Sequence, residues 1–302
     1  MADLFTAGSE PEEAKTECLI VSDDKVINDI ITKVLRQESH LSFSSFSNFA
    51  ETPRDFIRYK MRTLEVTPAM IFGAMMHCLV LEPGDFGNRY MVIDDEEEKK
   101  RIGGAKPGAT SAYKTWLELQ RANAGDKELV TQENFRKALN IANDVKFNSA
   151  SRRVLELCPN REQGVEWEYG NFKWKGYKDG SGDSAILDLK KVPNANPKKV
   201  KYIINDMRYY LQAAMYLKAD AIIAGNDSWR AAFEKDYYII AVDDSAGISV
   251  HQMDKGMIEK GLKEYDYLIN KFAECILSDK FDSSYEFFAD RWDGIYDLKP
   301  GW

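Results

Sequence analysis

Hydrophobic positions spaced three and four apart run through Val26, Ile27, Ile30, Ile31, Val34 and Leu35. This is the pattern of a helix with one apolar face, and it predicts a helix over residues 24–37. In the next stretch Ser42, Ser44 and Ser45 can cap a helix that carries Phe46 and Phe49 inward, and Pro53 can start another. Thr67 and Pro68 open a further helix by the same logic. It runs through Gly73 and His77 to Leu81, where Glu82, Pro83 and Gly84 end it. Residues 94–110 pass from acidic to basic and then to Gly103, Gly104, Pro107 and Gly108, which reads as a flexible loop. Helical spacing returns over 111–122 and 131–146.

Alternation of apolar and polar positions then replaces the helical period. Residues 165–169 and 172–177 alternate around Gly170 and Asn171, a two-residue hairpin signal. Residues 185–192 form a short apolar run between the turn-rich 180–184 and Pro193, and predict a strand. A helix over about 206–218, strands over 237–242 and 248–252, and a long helix over 255–275 complete the order. Helices before and between strands predict an α/β fold, a mixed central β-sheet flanked by helices with helical additions. Residues 1–15 are polar and read as a flexible tail, which leaves 16–302 as one domain.

Composition narrows the classes. The chain has 302 residues, 44% of them hydrophobic and 12% aromatic, enough for a substantial core. No run of about 18 apolar residues appears, and the first residues lack the basic and apolar regions of a signal peptide, so the expected location is cytoplasmic, with no membrane partner. Cys18, Cys78, Cys158 and Cys275 are far apart and predict reduced, mostly buried thiols, with neither a zinc site nor a disulfide framework. A net charge of −8 argues against indiscriminate nucleic-acid binding, which draws its affinity from Lys and Arg at phosphates. The basic stretch Lys190, Lys191, Lys198, Lys199 and Lys201 reads equally as a solvated loop or as a phosphate track.

The candidate chemistry sits on the strand over 185–192. Alternation sends Leu187 and Leu189 to one face and Ile186, Asp188 and Lys190 to the other, with Asp179 arriving from the neighbouring strand. Two carboxylates can hold a hard divalent cation, and a lysine beside them can orient an attacking water or stabilise charge developing on phosphorus. An acidic residue two before a lysine is common here, as at Glu13/Lys15, Asp144/Lys146 and Asp297/Lys299. The spacing carries weight only through its context.

That context resembles the PD-(D/E)xK nuclease superfamily, and more narrowly the RecE-like phage and prophage exonucleases, with lambda exonuclease and the RecB nuclease domain more distant. Ser42 to Ser44 with Thr52 and Pro53 look like the opening motif, and Gly73 to Pro83 like the glycine-to-histidine helix. Asp179 and Asp188-Leu189-Lys190 match the catalytic strands, and Tyr209 to Tyr216 a later helix motif. The resemblance implies a nuclease domain over 16–302 with its catalytic core at about 64–90 and 160–255. It implies metal ligation by His77, Asp179, Asp188 and the Leu189 carbonyl, and catalysis by Asp179, Asp188 and Lys190. Ser44, Gln212 and Tyr216 would line the site or touch DNA, with Tyr209 a further candidate, and the upstream glutamate is Glu162 or Glu166. The implied cofactor is Mg²⁺, with Mn²⁺ able to substitute; Thr52 stands where a cluster cysteine would be, so no iron–sulfur cluster is expected, and no nucleotide cofactor. Implied partners are double-stranded DNA ends, a RecT-type single-strand annealing protein and further copies of the chain in a ring. The implied activity is resection of duplex ends, 5′ to 3′, leaving 3′ single strands for recombination. A single-strand nuclease or endonuclease of the same fold, or a non-catalytic DNA-binding protein, are the alternatives.

Overall fold

The computed structural model describes residues 24–63 and 65–289. The expected tail over 1–15, Cys18 and the Asp297/Lys299 pair lie outside them. The chain opens with α1 (Asp24–Leu35), α2 (Phe43–Glu51) and α3 (Pro53–Met61). The serines act as the sequence suggests: Ser42 caps α2 and closes a reciprocal capping box with Ser45. Thr52 caps α3, with Pro53 in its first turn. α4 (Pro68–Leu81) starts behind the cap of Thr67 and buries Phe72, Met75, Met76 and residues 78–81.

After α4 come α5 (Phe86–Arg89), β1 (Tyr90–Ile93), α6 (Asp95–Ile102), α7 (Ser111–Ala124) and β2 (Glu128–Thr131). β1 and β2 form a small parallel pair that the sequence pattern does not announce. The loop expected over 94–110 is corrected by α6. Asp94 caps it, acidic residues fill its first turn and basic residues its last, which suits the helix dipole at both ends. Lys99 reaches back to Asp95 at 2.8 Å. A run from acid to base is thus a helix signal when a capping aspartate precedes it.

α8 (Gln132–Phe147) and α9 (Ser149–Leu157) lead into the main sheet. Its strands are β3 (Asn160–Tyr169), β4 (Phe172–Ser181), β5 (Ala185–Lys191), β6 (Asp236–Val242) and β7 (Ile248–Gln252). They lie side by side in chain order, antiparallel except for the parallel pair β5 and β6. Gly170 and Asn171 both hold positive φ, 61° and 65°, the conformation that a two-residue hairpin turn requires. The parallel step is made by α10 (Pro197–Asp206) and α11 (Tyr209–Ile223), and α12 (Lys255–Ser278) follows β7.

Two sequence expectations change along this crossover. The basic stretch is not a solvated loop: Lys190 and Lys191 end β5, and the other three lysines lie in the first turns of α10, where Asn196 accepts Lys198 N–H at 3.0 Å, Val200 and Ile204 turn inward, and Lys198, Lys199 and Lys201 stay exposed. The helix expected from residue 206 begins instead at Tyr209, because Arg208 takes a left-handed φ of 52° and separates two helices.

Alternation along β5 divides the core. Ile186 joins Trp174, Tyr237, Ile239 and the inner faces of α2, α3, α11 and α12. This side is rich in rings, with Phe46 edge-on to Trp174 at 4.7 Å and Phe49 edge-on to Phe272 at 5.0 Å. Leu187 and Leu189 join α4, α8 and α9 on the opposite side. Among the described residues no helix is long and apolar enough to cross a membrane.

Candidate metal centre

The site forms where β4 and β5 part. Their ladder pairs Ser181 with Ile186 and Gly180 with Leu187, and goes no further. The next facing residues are Asp179 and Asp188. Asp179 Oδ2 accepts the Leu189 backbone N–H at 2.6 Å, so a side-chain bond takes the place of the ladder. Leu189 itself is fully buried.

On the other edge of β4, Arg161 pairs with Gly180 and Gln163 with Lys178. That register sets Glu162 opposite Asp179. Glu162 holds φ at +46°, a left-handed conformation that costs a non-glycine residue about 1–3 kcal/mol and persists only where its surroundings fix it. His77 arrives from α4, with Nδ1 3.8 Å from Asp179 Oδ2. One donor atom from each of His77, Glu162 and Asp179 lies within 4.8 Å of the other two. Burial pushes the Glu162 carboxyl up to about 7, aided by the negative charges of Asp179 and Glu82 and opposed by Arg89. Two carboxylates and an imidazole, with no lysine or arginine bonded among them in the described residues, form a cation-seeking group.

Asp188 and Lys190 are held differently. Asp188 is 3% exposed, and its Oδ1 accepts Lys190 Nζ at 2.8 Å and Gln212 Nε2 at 3.4 Å. Its Oδ2 is buried without a hydrogen-bond partner among the described residues. Burial raises the Asp188 carboxyl above the usual carboxylate range, against the pull of Lys190. Burial alone would lower the Lys190 ammonium, but Asp188 and then Asp179 outweigh it and keep the lysine charged. The ammonium also lies 4.9 Å from the centre of the Tyr209 ring.

A chain match decides which family presents this arrangement. The model of a PDDEXK-like domain of unknown function (DUF3799) matches residues 42–284. The chain belongs to this PDDEXK-like family. Among solved structures it is similar to a protein of Eubacterium rectale described as a "putative exonuclease", at 15% identity over 87% of this chain and 91% of that one, with a TM-score of 0.54. Similarity to the crystal structure of SSO0001, at 13% identity over 65% of this chain and 85% of that one, has a TM-score of 0.25 and carries no argument. No curated protein matches the chain.

Within the PDDEXK-like frame the remaining candidates separate cleanly. Glu162 stands at the centre and Glu166 does not: Glu166 faces His40 Nε2 at 3.5 Å with most of its side chain exposed. Gln212 touches Asp188, and Tyr216 on the same face of α11, 5% exposed and edge-on to Trp167, joins the site through a side-chain hydrogen bond with Gln212. Tyr216 needs the glycine at 176, since a Cβ there would lie 2.5 Å from its ring. Ser44 is exposed on α2 and its carbonyl accepts bonds from Ser47 and Asn48 of the same helix; these contacts do not join it to the centre. One residue escaped the sequence reading. The Tyr237 hydroxyl on β6 is buried without a hydrogen-bond partner among the described residues, and the negative charge of Asp188 is among the influences that raise it, after burial itself. Its only sequence signal is a hydroxyl inside an apolar run.

The residues fit a divalent cation. Oxygen donors with one imidazole suit Mg²⁺ or Mn²⁺, and the unpartnered Asp188 Oδ2 is the kind of buried polar atom that asks for a ligand.

Proposed function

We propose that this chain is a metal-dependent DNA exonuclease that resects double-stranded ends, 5′ to 3′, and leaves 3′ single strands for recombination. The observation that carries the reading is the convergence of His77, Glu162 and Asp179 beside the Asp188–Lys190 pair at the parting of two strands in a PDDEXK-like fold. His77, Glu162 and Asp179, with the open oxygen of Asp188, would hold the cation, which supplies charge neutralisation at the scissile phosphate and activation of water. Lys190 orients the attacking water and stabilises charge on the phosphate, because Asp188 and Tyr209 fix its ammonium in place. Gln212 in turn steadies Asp188. The reaction is direct hydrolysis, with no nucleophilic side chain and no covalent enzyme intermediate.

The exonuclease description of the Eubacterium rectale protein supports the end-directed form of this reading, and the RecE-like motif order supports the direction, the ring and a RecT-type annealing partner. One digestion series tests it. Linear duplexes labelled at the 5′ or 3′ end, nicked and closed circles, and single strands are incubated with Mg²⁺ or EDTA. Release of nucleotides from the 5′ ends of linear duplex, in Mg²⁺ only, is expected. Cutting of closed circles makes it an endonuclease, attack on single strands alone a single-strand nuclease, and DNA binding without cleavage a non-catalytic relative. Light scattering showing only monomer at working concentration contradicts the ring.

A further inference from the structure

Tyr177 is the residue beside the centre that this chemistry leaves unused. It precedes Asp179 by two positions on β4, about 7 Å along the strand. Its neighbours Gly176 and Lys178 turn toward α11, where Lys178 Nζ meets Asp220 at 2.6 Å, so alternation sends Tyr177 to the opposite face. There the residue is 66% exposed. Its register partner is Gly164, and the ring lies across that glycine, with three ring atoms 3.3, 3.6 and 3.8 Å from where a Cβ would be. Glycine inside a strand weakens it and often marks a close approach by another group. Here it gives one side of the ring a flat bed and leaves the other side to solvent.

The same strand face offers a cation beside the ring, across from the carboxylates of Glu166 and Glu168 on β3. Lys175 is the next residue along it, exposed and without an ion pair among the described residues. Glu166 lies opposite Lys175 but is turned to His40. Lys60 on α3 bonds the His40 carbonyl at 3.1 Å and lies near enough to Lys175 for the two charges to repel.

We propose that Tyr177 is a stacking platform for an unpaired nucleotide of the DNA substrate, with Lys175 and Lys60 drawing its phosphates to the same strand face. A base inside a duplex has both faces covered, so a single open ring meets a base only at the end being cut, where fraying or an overhang frees it from its partner. The proposal rests on the nuclease reading and names the form of DNA that this site takes. Stacking on an aromatic side chain tolerates any base, which suits an enzyme that must advance through every sequence.

The probe is a DNA oligonucleotide with 2-aminopurine as its unpaired terminal nucleotide, titrated with the full chain in Ca²⁺ and again in EDTA. Binding by the wild type is expected to quench the fluorophore. Tyr177→Leu, which still covers Gly164 but has no flat ring, should weaken binding about tenfold and abolish the quenching, while Tyr177→Phe stays within about twofold of wild type. Equal thermal unfolding of the three proteins shows that the fold is intact. If the wild type binds and Tyr177→Leu binds as tightly with the same quenching, the platform is overturned and the nuclease reading stands. If the wild type binds no DNA in either buffer, both are overturned together.

Discussion

The two halves of the centre hold their acidic groups in opposite ways. On β5, Asp188 is buried against Lys190 at 2.8 Å, so its charge is answered inside the protein. On β3, β4 and α4, Glu162 and Asp179 stand across from each other beside the His77 imidazole, and among the described residues no lysine or arginine bonds either carboxylate. Left alone, the second group is destabilised by its own charges, and the rise of the Glu162 carboxyl to about 7, through burial and then Asp179 and Glu82, records that. The difference separates two functions within a few residues: one half is closed by its own lysine except at Asp188 Oδ2, and the other is finished only by a cation.

Breaking the closed half should have the largest effect. Lys190→Ala removes the group that orients water and leaves Asp188 buried beside Gln212 alone. Cleavage in single-turnover assays is expected to fall by about 10²-fold or more. Thermal or denaturant unfolding should show a loss on the scale of about 3 kcal/mol for a buried charge left unpaired, reduced by protonation of Asp188, whose carboxyl is already raised by burial. Full activity in this variant contradicts the assignment.

Breaking the open half should act on metal before stability. Asp179→Asn keeps an oxygen for the Leu189 N–H but loses the charge, so both Mg²⁺ affinity and cleavage should drop with little change in metal-free unfolding. His77→Ala should raise the metal concentration that activity requires, more for Mn²⁺ than for Mg²⁺, because the softer ion gains more from nitrogen. Activity measured as a function of each ion's concentration checks both expectations.

A smaller effect has a predictable sign. The folded Glu162 carboxyl titrates near 7 against an ordinary 4.5, so across that window the folded, metal-free protein retains a proton that the unfolded chain has released. Stability from this group is therefore greatest below the window and falls as pH rises through it. Glu162→Gln should abolish that loss, making the metal-free variant more stable relative to wild type at pH 8 than at pH 5. Asp243 gives the reverse sign. Its carboxyl is held below the usual range by the backbone N–H groups of Ala195, Gly247 and Ser245. Its contribution is present above the ordinary carboxylate range and is lost as pH falls through the lowered value. Asp243→Asn should cost about 1–3 kcal/mol at neutral pH and leave metal affinity unchanged.

How much of this the sequence disclosed follows the same division. The strand carrying Asp188 and Lys190 is written in a local pattern, period two between turn residues, and its faces lie as alternation requires. The hairpin at Gly170 and Asn171 is equally local. Glu162 against Glu166 is not, since both are acidic residues on one strand. Only the register with β4 and the left-handed turn at Glu162 put one beside Asp179 and the other beside His40. α6 was legible and misread, because its ordered charges resemble those of a solvated loop until Asp94 is recognised as a cap. β1 and β2 pair in parallel across an intervening helix pair, a long-range contact for which four-residue strands leave no periodic trace.

The central claim is that the open half binds the cation, and calorimetric titration with Mn²⁺ of the wild type, Glu162→Gln and Glu166→Gln tests it most directly. Both substitutions replace one carboxyl on the same strand by an amide at nearly constant volume, one beside Asp179 and the other beside His40. The account predicts that Glu162→Gln weakens Mn²⁺ binding by about tenfold or more while Glu166→Gln binds as the wild type does. Undiminished binding by Glu162→Gln, or an equal loss in both variants, would contradict it.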